Sequence, residues 1–157
     1  MKSLSLSTIA DLAGAELICG NGERVASGVG IDSRTIRPGE IFIAIRGVKH
    51  DGHEHVREAV EKGAIAALVE KQEAGKVPTG FAYLRVADTQ KALQKLAHGY
   101  RRLLSVRVAS VTGSSGKSST KEMLAAVLGT TGPTHRTKGN LNNHFGVPLT
   151  LLGIGAE

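Results

Sequence analysis

The feature that most constrains the fold is a turn, Thr112-Gly113-Ser114-Ser115-Gly116-Lys117-Ser118-Ser119, set between a β-branched run from Val106 to Val111 and a helical pattern carrying Met123, Leu124, Val127 and Leu128. A strand that passes through a glycine-rich turn into a helix is the context of a phosphate-binding loop, and it implies a parallel-sheet α/β protein. The run from Val106 to Val111 is accordingly expected to be a buried parallel strand. Each residue type in the turn has a physical task. Glycines let backbone N–H groups turn inward around phosphate oxygens, a lysine neutralises β/γ-phosphate charge, and the hydroxyl after it can ligate magnesium. Gly113, Ser114, Ser115, Gly116, Lys117, Ser118 and Ser119 are thus the candidate nucleotide-binding residues. Lys117 is also the candidate catalytic group, and Ser118 the candidate Mg2+ ligand.

The turn departs from the general G-x-x-x-x-G-K-[ST] pattern, because Val111 stands where the first glycine belongs and Gly113 comes two residues later. A Ser/Gly-rich strand-to-helix turn with no ligand is the bland alternative. The coincidence of strand, glycines, lysine and hydroxyl favours nucleotide phosphate.

The residues before the turn read as a small α/β unit, with a domain boundary near Ser105 and domains 1–105 and 106–157. Ser7 is the expected N-cap of a first helix in which Ile9, Leu12 and Ala13 share a face. Val29-Gly30-Ile31 and Ile41 to Ile45 read as strands separated by the Pro38-Gly39 turn signal. Asp51, with Glu54 three residues on, approximates a capping box that opens a helix ending near Gly63. Ile65 to Val69 and Tyr83 to Val86 are expected strands, joined by a loop from Ala74 to Gly80. From Asp88 the positions Ala92, Leu93, Leu96, Ala97, Tyr100, Leu103 and Leu104 keep helical spacing. Asn140, Asn142 and Asn143 precede a helix expected near Pro148; they can bond a nucleotide or serve only loop geometry.

Composition narrows the partners. A formal charge of +6 favours phosphate-bearing ligands. Aromatic residues are 3% of the chain with no tryptophan, and Arg101, Arg102 and Arg107 lack a surrounding basic run, so no nucleic acid is expected. No stretch approaches the roughly 20 apolar residues of a spanning helix, and the start is too short in apolar residues for a signal peptide, so no membrane insertion is expected either. Cys19 is the one cysteine, which suits a reducing cytoplasm. His50, His53 and His55 straddle a helix start, a poor spacing for zinc. Oligomeric state is not readable from these patterns.

The compressed turn, followed by Lys121-Glu122-Met123, resembles the ATP loop of the Mur ligases, whose turn has this shorter shape. The segment Gly139-Asn140-Leu141-Asn142-Asn143-His144-Phe145-Gly146-Val147-Pro148 is similar to the one that follows the loop helix in MurF-type members. Asp32-Ser33-Arg34, Pro38 to Ala44, and Gly47 through Asp51-Gly52-His53 resemble the uridine-nucleotide domain that MurE- and MurF-type enzymes share.

The resemblance implies a small N-terminal uridine-nucleotide-binding α/β domain followed by the truncated start of a P-loop parallel-sheet ATPase domain. It also implies an ATP- and Mg2+-dependent ligase that phosphorylates UDP-MurNAc-tripeptide and joins it to D-alanyl-D-alanine. Ser33, Arg34, Asp51, Gly52 and His53 become candidate substrate contacts, and Asn140 and Asn143 candidate nucleotide contacts. In the family, acidic magnesium ligands, a modified lysine and a C-terminal domain come later, so this chain is expected to be inactive alone. The competing expectation is a standalone nucleotide- or UDP-sugar-binding module without catalysis. A different P-loop phosphotransferase would leave the Asn-rich segment unexplained.

Overall fold

A computed structural model describes residues 1–47, 50–71 and 78–155. Its strands are β1 (Leu4–Ser5), β2 (Glu16–Cys19), β3 (Val25–Ala26), β4 (Gly28–Gly30), β5 (Glu40–Ile43), β6 (Ala66–Val69) and β7 (Ala82–Arg85). Its α-helices are α1 (Leu6–Ala13), α2 (Val56–Glu61), α3 (Thr89–Arg102), α4 (Lys117–Gly129) and α5 (Gly146–Leu152), with a 3-10 turn at Gly52–His55. The main sheet has the order β2-β7-β6-β5-β4, parallel from β4 through β7, with β2 antiparallel at one edge. β1 and β3 form a separate two-stranded ribbon.

Side-chain alternation builds three layers. Ile41, Ile43, Ala66, Leu68, Ala82 and Leu84 face one way, against Leu6, Ile9 and Ala13 of α1 and Leu93, Leu96 and Tyr100 of α3. Phe42, Ala44, Ala67, Val69 and Tyr83 face the other way, against Val56 and Ala59 of α2. The expected strands of this unit are therefore present, and β4 and β5 pair side by side in parallel. Asp88 caps α3 by accepting from the Lys91 amide (2.8 Å), and Gly63 follows α2 at φ +94°. Of the loop expected between Ala74 and Gly80, residues 74–77 lie outside the described residues.

Three features differ from the sequence reading. The N-cap of α1 is Ser5 rather than Ser7: Ser5 Oγ accepts from the Thr8 amide at 3.2 Å. Starting there brings Leu6 into the helix, so that Leu6, Ile9, Ala10 and Ala13 form the buried stripe and Leu12 is only partly buried. β2 had no sequence signal beyond a short apolar run between glycines. The third change concerns Val106 to Val111, which forms no strand and is largely exposed. A parallel strand needs neighbours for its hydrogen bonds, and among the described residues none pairs with this run. α4 is exposed with it, Met123 at 70% and Val127 at 65%, and only Ala125 is buried there.

The segment after α4 returns to the first unit. α5 packs on α3, and Leu152, 2% exposed, enters the core shared with Leu93 and Leu96. The Tyr100 hydroxyl donates to the Ile154 carbonyl at 2.6 Å and accepts from the Lys2 amide at 2.7 Å. Arg101 reaches forward to the carbonyls of Leu104 (3.1 Å) and Val106 (2.7 Å), which fixes where the chain leaves α3.

Candidate functional site

Two places bring the candidate residues together. The first is the carboxyl edge of the parallel strands, where ligands bind in open α/β sheets. β4 delivers Asp32, Ser33 and Arg34 there, β5 leads to Arg46, Asp51, Gly52 and His53, and β6 ends beside Glu70. Arg34 grips Asp32 with two bonds, Nε to Oδ1 at 2.9 Å and a terminal nitrogen to Oδ2 at 2.7 Å, and its side chain is 79% exposed. That grip is the main reason the Asp32 carboxyl is pulled down to about 2. Ser33 is buried and its hydroxyl donates to Glu58 Oε2 at 2.7 Å, while Glu58 Oε1 accepts from Lys62.

Asp51, Gly52 and His53 form one internal network. Asp51 caps the 3-10 turn through the His53 amide (3.0 Å), whereas Glu54 offers only its amide, to the Asp51 carbonyl, so the reciprocal half of a capping box is not made. The His53 ring is 4% exposed; Nε2 accepts from the Glu70 amide at 2.9 Å, which places its proton on Nδ1, donated to Asp51 at 2.5 Å. A Cβ at Gly52 would meet the Ile45 amide nitrogen and carbonyl oxygen at 2.8 Å each, so only glycine fits against that backbone. Arg46 spans the group, 3.1 Å from Asp51 and 3.6 Å from Glu70. Arg46, Glu58 and Glu70 carried no sequence signal, because their partners lie in other elements.

Burial opposes ionisation of Asp51, yet the amide and ring of His53 and the Arg46 guanidinium outweigh it and hold the carboxyl at about 2 against an ordinary 3.8. The folded value is depressed, so the stabilisation is present above 3.8 and is lost as pH falls toward about 2. Asp51→Asn is expected to flatten the pH dependence of unfolding across that window. Urea melts of both proteins at about pH 5 and about pH 2.5 read it, and equal slopes in the two would contradict the assignment.

The second place is the turn before α4. Gly116, at φ +75°, is the N-cap of α4, and a Cβ there would meet nothing within 4 Å, so glycine is required by backbone conformation and not by space. No side chain caps α4 and no acidic residue lies in its first turn, which leaves the leading N–H groups and the positive end of the helix dipole open to an anion. Lys117 Nζ donates to the Gly113 carbonyl at 2.5 Å and lies 3.5 Å from that of Ser114, curled over its own loop. The hydroxyls of Ser114, Ser115, Ser118 and Ser119 are exposed. Asn143 Oδ1 accepts from the Phe145 and Gly146 amides at 3.1 and 2.8 Å, a cap for α5, and Asn140 is exposed.

The parallel sheet with helices on both faces and a polar carboxyl edge, followed by a glycine-capped helix that opens on a lysine, defines a mixed α/β protein. Comparison with known proteins makes the assignment specific. Residues 25–101 match the model of the Mur ligase family, catalytic domain, and residues 111–156 match that of the Mur ligase middle domain. The chain belongs to the Mur ligase family. It is 43% identical over 132 residues to the UDP-N-acetylmuramoyl-tripeptide–D-alanyl-D-alanine ligase of Bacillus subtilis, covering 84% of this chain and 29% of that protein. A crystal structure of MurF from Acinetobacter baumannii superposes with a TM-score of 0.90 at 33% identity, over all of this chain and 34% of that one. MurF ligase from Thermotoga maritima, solved in complex with ADP, gives 0.69 at 34% identity over 80% and 28%. The chain thus spans about a third of the length of these relatives. Among the described residues no helix is long and apolar enough to cross a membrane.

Proposed function

We propose that this chain supplies the precursor- and nucleotide-phosphate-binding parts of a cytoplasmic ATP-dependent ligase that adds D-alanyl-D-alanine to UDP-MurNAc-tripeptide in peptidoglycan synthesis. The observation that carries the reading is the open, glycine-capped start of α4 behind Lys117, in a chain whose full length superposes on MurF. In such a reaction a carboxylate oxygen of the tripeptide attacks the γ-phosphorus of ATP and ADP leaves. The amine of D-alanyl-D-alanine then attacks the acyl carbon and phosphate leaves with the bond to oxygen.

The chain's own residues bind and orient. Lys117 leaves the Gly113 carbonyl to meet the β/γ-phosphates, and the amides from Gly113 to Ser119 cradle them. Ser118 can contribute one hydroxyl oxygen to Mg2+, whose chemistry is to neutralise phosphoryl charge. Among the described residues no group of three or more His, Cys, Asp or Glu side chains that could hold a metal ion occurs. Asn140, which is exposed, is free to serve as a nucleotide contact, while Asn143 orders the segment that leads into α5.

On this reading residues 1–105 form the precursor domain and 106–157 the nucleotide-binding part. Arg34, 79% exposed, turns its fork from Asp32 to meet the UDP diphosphate, and Ser33, Asp51, Gly52 and His53 shape the edge behind it. Titration with UDP-MurNAc-tripeptide is expected to saturate, and Arg34→Ala to weaken binding about 10-fold, the loss of one charge-assisted pair. Absence of saturation in a folded chain would count against the assignment.

A further inference from the structure

Lys121 lies four residues after Lys117 on α4, so the two side chains share a face of the helix one turn apart. Their surroundings differ. Lys117 sits in the open turn, whereas the Lys121 side chain is 20% exposed and its Nζ contacts three oxygens: the Thr137 carbonyl at 2.8 Å, the Gly139 carbonyl at 3.1 Å and Glu122 Oε1 at 3.0 Å. The ammonium donates to the two carbonyls and pairs in charge with Glu122, so it is engaged on three sides. Lys121 is therefore not a second phosphate lysine in this arrangement. Glu122 extends the connection, its other oxygen 2.9 Å from Arg136 Nε.

The bonded segment is the one that carries Asn140. Its far end is pinned separately: Asn143 caps α5, and a Cβ at Gly146 would lie 2.5 Å from the Leu141 carbonyl carbon, a backbone approach only glycine permits. Between those anchors Asn140 is exposed, its amide side chain unpaired among the described residues, one residue beyond a carbonyl held by Lys121. We propose that Lys121 is a positioning residue, a latch that holds residues 137–140 against the second turn of α4 so that the Asn140 amide is presented to a nucleotide bound at the turn before it. The inference rests on the nucleotide reading of that turn, and its test separates the two.

The experiment is amide hydrogen exchange of the full chain by NMR, with a parallel NMR titration by Mg-ATP, on the wild type and on Lys121→Met, Lys121→Arg and Lys138→Met. Methionine keeps the length and helix propensity but no donor, arginine keeps donors, and Lys138→Met removes an equal charge from the same segment. Lys121→Met is expected to speed exchange at Leu141 and Asn142 at least about 10-fold and to weaken Mg-ATP binding about 10-fold, the size of one charge-assisted hydrogen bond. Lys121→Arg should recover most of both, and Lys138→Met should leave exchange unchanged. Unchanged exchange in Lys121→Met overturns the latch. Faster exchange with unchanged Mg-ATP affinity overturns the positioning role. A wild-type chain that shows no Mg-ATP shifts at residues 113–119 overturns the nucleotide reading and the positioning role with it, and the exchange rates still decide whether the latch exists.

Discussion

Lys117→Ala is expected to weaken Mg-ATP binding on the order of 100-fold, followed as amide shifts over residues 113–119. The size follows from what the ammonium does. In the structure it satisfies itself on the Gly113 carbonyl, a bond that a β/γ-phosphate oxygen, fully charged, would replace. Hydrogen bonds between charged partners contribute about 1.5–3 kcal/mol, and removing the lysine also leaves the phosphate charge facing only backbone amides. The helix start itself should survive, because Gly116 sets its geometry and alanine is a good helix former. Unchanged affinity with α4 intact would mean that the turn binds its ligand without this side chain, or binds none.

The second large effect concerns stability. Leu152→Ala is expected to destabilise the chain by about 2–5 kcal/mol, the cost of a buried leucine truncated in a packed core, and to lower the melting temperature by roughly 4–20 °C. Leu152 comes from the segment that matches the middle domain, yet it is 2% exposed in a cluster otherwise drawn largely from α1, α3 and the sheet. Calorimetry decides the matter, with Val147→Ala as control: Val147 lies on the same short helix but is 47% exposed, and its truncation should change stability by no more than about 0.5 kcal/mol. Equal, small effects from both would show that α5 does not dock on α3 in solution.

Which parts of this were legible in the sequence depended on how far apart the interacting residues lie. The phosphate turn was readable because glycines, lysine and hydroxyl are contiguous. The strands Glu40–Ile43 and Ala66–Val69 were readable because apolar runs bounded by turn residues carry their own signal. Val106 to Val111 misled for the same reason: β-branching reports a tendency to extend, but pairing depends on neighbours that composition does not name. His53 drew attention as a polar residue in a motif, and the structure uses it inward, between Asp51 and an amide 17 residues away. Lys121 was noticed only as part of the Lys121-Glu122-Met123 run after the turn; its bonds were not legible, since its acceptors are main-chain carbonyls 16 and 18 residues on, and a carbonyl has no letter in the sequence.

The Tyr100 hydroxyl, holding the Lys2 amide and the Ile154 carbonyl at one oxygen, puts residues 2 and 154 side by side. Because both bonds end on one phenol, the segment before β1 and the segment after α5 are restrained together, and losing that hydroxyl would free two stretches of main chain at once.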